Sequence, residues 1–262
     1  MRELEREPSS DIPACTRLAL VGRGRLGTAL AQALAAAGVD VAGPLARGAD
    51  GANADAVLLC VPDGEIARAA SLISPGRLVG HCSGASRLDV LAPHEAFSLH
   101  PLMTVTRAGA NFDGAGAAIA GTTLTALRFA AELATRLGMR SVQVAEADRA
   151  LYHAAASMAS NFLVTVEAAA ERLMGRAGVE RALLVPLVRA TVENWAGAGA
   201  EQALTGPVAR GDEATVQAQR AAISAREPEL LSLFDSLVSA TRQLSHGPDA
   251  TPAIDARQRQ PA

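Results

Sequence analysis

Four apolar residues, Leu18-Ala-Leu-Val21, run without a break into Gly22-Arg-Gly-Arg-Leu-Gly27. An apolar run that ends in glycine and reopens as a helix-forming stretch has the pattern of a buried strand, a tight turn and a helix. Arg17 to Val21 reads as the strand, and Thr28 to Ala37, rich in Ala and Leu, reads as the helix. Gly38 stops that helix, and Val39 to Ala42 begins a second strand. The glycines at 22, 24 and 27 fit the spacing G-x-G-x-x-G. The first permits the tight turn, the second lets backbone approach a pyrophosphate, and the third lets the helix pack close to the strand. The pyrophosphate would sit on the free N–H groups of the helix N-terminus. Gly22, Arg23, Gly24, Arg25, Leu26 and Gly27 are therefore read as a dinucleotide-binding turn. The alternative is a glycine turn in an α/β domain that holds no cofactor.

From Arg17 to about Val144 strands alternate with helices, which predicts an α/β fold with a doubly wound parallel sheet covered on both faces. Asp55 to Pro62 reads as a continuous buried strand, with Asp63 as an N-cap for the helix that follows. Leu78 to Gly84 and Phe97 to Met103 read as strands with polar ends. Ala117 to Gly121 and Ser141 to Val144 bracket a helix from about Leu124 to Leu137. Beyond Val144 the pattern becomes all-α: one long helix from Ala147 to Met174, then helices over Arg181 to Ala196, Ala214 to Ala225 and Glu227 to Leu244. The expected organisation is a flexible charged lead-in at 1–15, a dinucleotide-binding domain at 16–145, a helical domain at 146–246 and a disordered Pro-rich tail at 247–262.

In an NAD site an acidic residue about 20 positions past the glycines binds the ribose 2′-hydroxyl. Here no acid ends the second strand; Gly43-Pro-Leu-Ala-Arg47 supplies a guanidinium instead. Arg47, helped by Arg23 and Arg25, could pair with a 2′-phosphate, so the reading favours NADP over NAD. The alternative is that these arginines are ordinary solvated charges. Val61 and Pro62 end a strand at the edge where such sheets bind ligands and should wall the cofactor.

Composition removes several function classes. A net charge of −3 over 262 residues suggests neither nucleic acid nor a membrane surface as partner. No apolar run is long enough to span a bilayer, and the charged N-terminus lacks a signal core, so a cytoplasmic protein is expected. The three scattered cysteines fit a reducing compartment and have no metal-ligand spacing. The sequence contains no lysine, so all 24 basic residues are arginine and any lysine-dependent chemistry is excluded. No G-x-S-x-G elbow supports a hydrolase.

The remaining candidates are polar residues at strand ends and along the helices. Ser83 and His100 each sit at or just past a strand end, where substrate sites of open α/β sheets form. A structural hydrogen bond from His100 is equally compatible with that position. On the long helix, steps of three and four place His153, Ser157, Ser160 and Asn161 on one face. That face lines a cleft, or else His153 is a satisfied core histidine. Between the later helices lies Ala203-Leu-Thr205-Gly-Pro-Val-Ala-Arg210-Gly-Asp212, a polar, glycine-containing loop of the kind that carries sites. Arg210 and Asp212 could be a site pair or a mutual salt bridge.

Taken together, these residues resemble those of Rossmann-like proteins that carry the domain of unknown function 2520. The resemblance spans about residues 17 to 245. It rests on G-R-G-R-L-G at 22–27, V-P-D at 61–63, H-C-S-G at 81–84, S-L-H-P-L at 98–102, Y-H-A-A-A at 152–156 with Asn161, and A-L-T-G-P-V-A-R-G-D at 203–212. That family is similar in plan to pyrroline-5-carboxylate reductases, ketopantoate reductases and 6-phosphogluconate dehydrogenases. The resemblance implies a Rossmann-type NADP-binding domain followed by an all-α domain that dimerises, with the active site between them. The family's usual histidine after the Arg-Gly-Asp stretch is Gln219 here, so no role carries over to that position. Better-known ketopantoate reductases rely on a lysine that this chain lacks.

The reading that unites these residues is an NADP-dependent oxidoreductase acting on the carbonyl or imine of a small carboxylate, an alternative ketopantoate reductase among the options. His153 would donate the proton or polarise the substrate. Ser83, His100 and Asn161 would orient the substrate, and Ser157, Thr205, Arg210 and Asp212 would help bind it. The rivals are a non-catalytic NADP-binding redox sensor and a hydroxy-acid dehydrogenase running in the oxidative direction.

Overall fold

The computed structural model describes residues 17–107 and 109–246; the expected lead-in at 1–15 and tail at 247–262 lie outside them. The chain forms two compact units, Met1–Ser160 and Asn161–Ala262.

The first unit is built on a seven-stranded sheet of order β2-β1-β3-β4-β5-β6-β7. Its strands are β1 Leu18–Val21, β2 Val41–Leu45, β3 Ala56–Leu59, β4 Leu78–His81, β5 Glu95–Leu102, β6 Gly116–Gly121 and β7 Arg140–Gln143. The helices of this unit are α1 Arg25–Ala36, α2 Ile66–Ala70, α3 Leu124–Arg136 and α4 Arg149–Ser157. Strand residues alternate between two cores, as a period of two requires. Leu18, Leu20, Ala56, Leu58, Phe97 and Leu99 pack on one face with α1 and α3. Ala19, Val21, Val57, Leu59 and Val79 pack on the other with α2. Phe97 is fully buried, meets Phe129 edge to face at 5.1 Å, and lies where any side chain at Gly80 would have to go.

Three sequence expectations are corrected. The sheet is not wholly parallel, because β6 runs antiparallel to β5 and β7 then runs parallel to β6. The described residues of 103–115 contain no helix to carry a crossover, and the chain turns back beside β5; α3 supplies the crossover from β6 to β7. The second strand begins later and ends later than expected, taking in Gly43-Pro44-Leu45. The long helix is real but interrupted: α4 passes through a π turn, Met158–Phe162, into α5 Leu163–Arg176. The π turn slips the register by about one residue, so α-helical spacing counted from His153 does not carry through to Asn161.

The second unit continues with α6 Leu184–Ala198, α7 Ala200–Ala203, α8 Glu213–Arg226 and α9 Leu231–His246. Buried Glu227 accepts hydrogen bonds from Arg172 and Arg176, fastening α5 to the α8–α9 corner. Arg220 grips Asp235 through two hydrogen bonds of 2.9 Å, joining α8 to α9. No helix among the described residues is long and apolar enough to cross a membrane.

Candidate active site

The site begins where β1 stops. Gly22 takes φ +127°, and a Cβ there would stand 2.2 Å from the Cys60 carbonyl oxygen. A Cβ at Gly27 would stand 2.0 Å from the Gly22 carbonyl oxygen. Both glycines are thus required by the packing of turn, strand and helix. Gly24 differs: its backbone is extended, φ −74° and ψ 177°, and a Cβ there would meet nothing within 4 Å. It is the one glycine of the three with open space beside it. It also N-caps α1 without any side-chain hydrogen bond, and no acidic residue stands in the first turn of that helix. Uncapped N–H groups and the positive end of the helix dipole make an anion cradle. A side chain at Gly24 would fill it, so these residues fit a dinucleotide pyrophosphate.

A cleft of about 430 Å³ opens here, within the range of ligand pockets. It is lined by Gly24, Arg25 and Leu26 from the turn, by Cys60 to Asp63 after β3, by Cys82 and Ser83 after β4, and by His100 and Pro101 from β5. All of these lie at the carboxyl ends of parallel strands. β1 is the strand from which the chain winds first to β2 and then to β3, the switch point where such sheets bind ligands. Exposed Arg23 donates from Nε to the Pro44 carbonyl at 3.3 Å, which brings it to the end of β2. Arg47 follows the same strand and is exposed.

Three further elements converge behind the cleft. The Ser83 hydroxyl donates to Asp63 Oδ2 at 2.7 Å and accepts from the Ser86 and Ala85 N–H groups at 2.9 and 3.2 Å. Its one proton is therefore committed, and Asp63 serves Ser83 instead of capping its own helix. That expectation is corrected because Pro62 is the cap position and no side chain caps there. The His100 Nδ1 lies 2.9 Å from the Tyr152 hydroxyl, and its ring meets His153 edge to face at 6.0 Å. Gly84 is where the two histidines close in: a Cβ there would be 2.8 Å from His153 Cδ2 and 2.9 Å from His100 Nε2.

Under these groups lies Arg149, the first residue of α4 and only 1% exposed. It donates to the Ser83 carbonyl at 2.8 Å and to the Ser98 hydroxyl at 3.2 Å, while its Nε has no partner. Burial lowers its pKa, countered in part by Glu146 and Asp63. Burial, with help from the charge of Arg149, pushes His81 down to about 4. Burial together with the neighbouring His153 and Arg149 pushes His100 down to about 4 as well. Both rings are therefore neutral at pH 7. His81 accepts the Ser83 N–H at Nδ1, which leaves Nε2 to donate to the Arg87 carbonyl; its role is structural.

Of the residues singled out in the sequence, the structure gathers Gly22 to Gly27, Val61, Pro62, Ser83, His100 and His153 in the first unit. Ser157 lies one turn further along α4, half-buried. Asn161, Thr205, Arg210 and Asp212 belong to the second unit. There the Asp212 carboxylate caps α8, accepting the Thr215 N–H at 3.1 Å and the Thr215 hydroxyl at 2.7 Å. No ion pair joins Arg210 to Asp212 among the described residues. Sequence reasoning missed Arg149, and it quoted Tyr152 and Gly84 only as members of the resemblance motifs, with no role at the site. The available signal was the i, i+3, i+4 spacing of Arg149, Tyr152 and His153 on one helix.

Residues 116–241 match the family model described as "Domain of unknown function (DUF2520)". Comparison with curated proteins gave no match. Among solved structures, the chain is similar to protein BF3122 of Bacteroides fragilis, described as a candidate NADP oxidoreductase. The identity is 22%, the TM-score 0.75, and the coverage 87% of this chain and 98% of that one. It is similar to protein TM1727 of Thermotoga maritima at 23% identity and TM-score 0.72, with the same coverage. A reductive aminase from Aspergillus terreus in complex with NADPH matches at 18% identity and TM-score 0.62, covering 88% of this chain and 97% of its own. At such identities these structures establish the fold, a Rossmann-type sheet followed by helices. The family match adds that residues 116–241, somewhat under half of the chain, are similar to the DUF2520 domain.

Proposed function

We propose that this protein is an NADP-dependent oxidoreductase that reduces the carbonyl or imine carbon of a small carboxylate substrate. One observation carries the reading: a single cleft is lined both by the uncapped glycine turn and by Ser83 and His100. A module that only reports nucleotide occupancy needs the first and not the second. The NADP-binding relatives of the same fold add support.

Gly24 and the first turn of α1 hold the pyrophosphate, with Arg25 and Leu26 beside it. Val61 and Pro62 wall the cofactor. Arg47 and Arg23, at the end of β2, which carries no acid of its own, pair with a 2′-phosphate and select NADP. The nicotinamide, when bound, supplies the hydride. The chain then has to supply a proton and hold the substrate, and it does so without lysine. His153 donates the proton from its ring N–H to the substrate oxygen or nitrogen. Neutral His100, fixed by Tyr152, orients the substrate by a hydrogen bond, and Ser83 positions the wall through Asp63. Ser157, one turn along α4 from His153, is the candidate for holding the carboxylate by a hydrogen bond; Asn161, Thr205 and the Arg210 cation of the second unit are substrate-binding candidates on the family resemblance, and Asp212 caps α8.

The helical unit dimerises in this proposal. Phe162, Val164, Leu187 and Trp195 are 57, 68, 61 and 58% exposed, an apolar display that a second copy would cover. Light scattering at micromolar concentration should give twice the chain mass, and a monomer would contradict this.

His153→Ala should lower turnover about a hundredfold or more while NADPH affinity stays within about twofold. Unchanged turnover would remove His153 from the mechanism.

A further inference from the structure

Cys60 and Cys82 stand where β3 and β4 end, in register one step beyond the pair Leu59 and His81. Their Sγ atoms are 3.7 Å apart. Both line the cleft, Cys60 half-buried and Cys82 buried. Neither thiol has a task in the mechanism above. A disulfide needs sulfurs at about 2.05 Å and Cα atoms at about 4.4 to 6.8 Å, and neighbouring strands lie about 4.8 Å apart. The backbone therefore already meets the spacing requirement, and the sulfurs have less than 2 Å to close.

We propose that Cys60 and Cys82 form a reversible redox site in the cofactor cleft, oxidised by hydrogen peroxide to a disulfide that weakens nucleotide binding. The two thiols divide the work by environment. The contact with Cys60, and then burial, push the Cys82 thiol up. Cys60, the more accessible, reacts first. Its sulfur attacks one peroxide oxygen, breaking the O–O bond to give a sulfenic acid and one water. The Cys82 sulfur then attacks the Cys60 sulfur, loses its proton and expels the hydroxyl as a second water. The two thiols lose two electrons, which hydrogen peroxide gains. A dithiol reductant reverses the step by exchange.

The consequence for the nucleotide follows from packing. The Cys60 carbonyl oxygen is what a side chain at Gly22 would strike, and a Cβ at Gly27 would be 3.1 Å from Cys60 Cβ. Cys60 is thus seated against the glycine turn, and closing the sulfurs draws it toward β4. Close-packed backbone transmits such a shift. The disulfide itself rests on geometry alone; its effect on the cofactor rests on the reading given under Proposed function.

The test uses the full chain with Cys15→Ser, treated with hydrogen peroxide and then with an alkylating thiol probe. The expected result is a cross-linked peptide pair holding Cys60 and Cys82, two hydrogen masses lighter than its parts and separated again by dithiothreitol. NADPH titration before and after should show binding weakened about tenfold or more by oxidation and restored by reduction. In Cys82→Ser the cross-link should be absent, and a sulfenic acid at Cys60 should be trapped by dimedone. Full alkylation of both cysteines after peroxide, or over-oxidation of Cys60 without a cross-link, would overturn the site. A cross-link that leaves NADPH affinity unchanged would overturn its regulatory effect. A reduced protein that binds no NADPH, yet still forms the cross-link, would sink the cofactor reading and leave the dithiol site standing.

Discussion

Gly24→Ala should weaken NADPH binding about a hundredfold while leaving the thermal midpoint within about 2 °C of wild type. The structure separates two jobs that one motif hides. At Gly24 the backbone is already in a conformation any residue adopts, and an added methyl meets no protein atom within 4 Å. Nothing in the fold resists it, so folding is spared. The methyl instead occupies the space through which a pyrophosphate reaches the N–H groups of α1. Gly22→Ala should do the opposite. It sets a methyl 2.2 Å from the Cys60 carbonyl oxygen at φ +127°, so turn or strand must move. Strain and clash of that kind cost several kcal/mol, on the order of 10 °C in midpoint for a chain this size. Thermal denaturation and NADPH titration on both variants check the pair. A Gly24→Ala protein that binds normally would mean that the cradle is not where the nucleotide sits.

Arg149→Met should cut turnover about a hundredfold with little loss of stability. The magnitudes decide the second half. Burying a guanidinium costs several kcal/mol, and among the described residues no contact ion pair of Arg149 offsets that cost; Glu146 and Asp63 counter it only in part. Its hydrogen bonds to the Ser83 carbonyl and Ser98 hydroxyl return about 1.5–3 kcal/mol each, and its Nε returns nothing. Methionine of similar length removes the gains and the cost together, so the midpoint should move by less than about 3 °C. What is lost is placement. Arg149 holds the chain at Ser83 from the same helix that carries Tyr152 and His153, so it acts as a positioning residue.

Its charge also gives a readout that a purely structural role would not. Burial first, and then the neighbouring His153 and Arg149, hold His100 near 4. The unfolded value is about 6.5. Between those values the unfolded chain binds protons that the folded unit refuses. Stability is therefore full above about 6.5 and falls as pH drops toward 4. Without the arginine charge His100 and His81 protonate more readily when folded, so the acid loss of stability should be shallower. The acid limb of the turnover profile should move upward. A variant that loses stability in proportion to activity, with an unshifted acid limb, would make Arg149 only a core residue.

The features legible in the sequence are those whose cause is local. Gly22 to Gly27 could be read because turn, cradle and helix start are all written within ten residues. Strand and helix identities through β7 followed from the same short-range patterning. The misread features depend on partners far along the chain. Asp63 looks like an N-cap by residue type, yet its partner, Ser83, is 20 positions away. A charged residue such as Arg149 is read as solvated by default, and only the fold brings Ser83 and Ser98 to it. The reversal at β6 depends on a segment whose described residues form no helix, where sequence gives no direction. The π turn at Met158–Phe162 leaves no mark in composition, so a face counted in steps of three and four ran past its true end.

The most direct measurement is the loss of NADPH absorbance when the reduced, purified protein meets a panel of small 2-oxo acids and cyclic imines, ketopantoate included. The account predicts turnover on a carboxylate-bearing member of the panel, faster with NADPH than with NADH by about tenfold or more. NADPH binding without turnover on any member would favour a nucleotide sensor, and absence of NADPH binding would contradict the central claim outright.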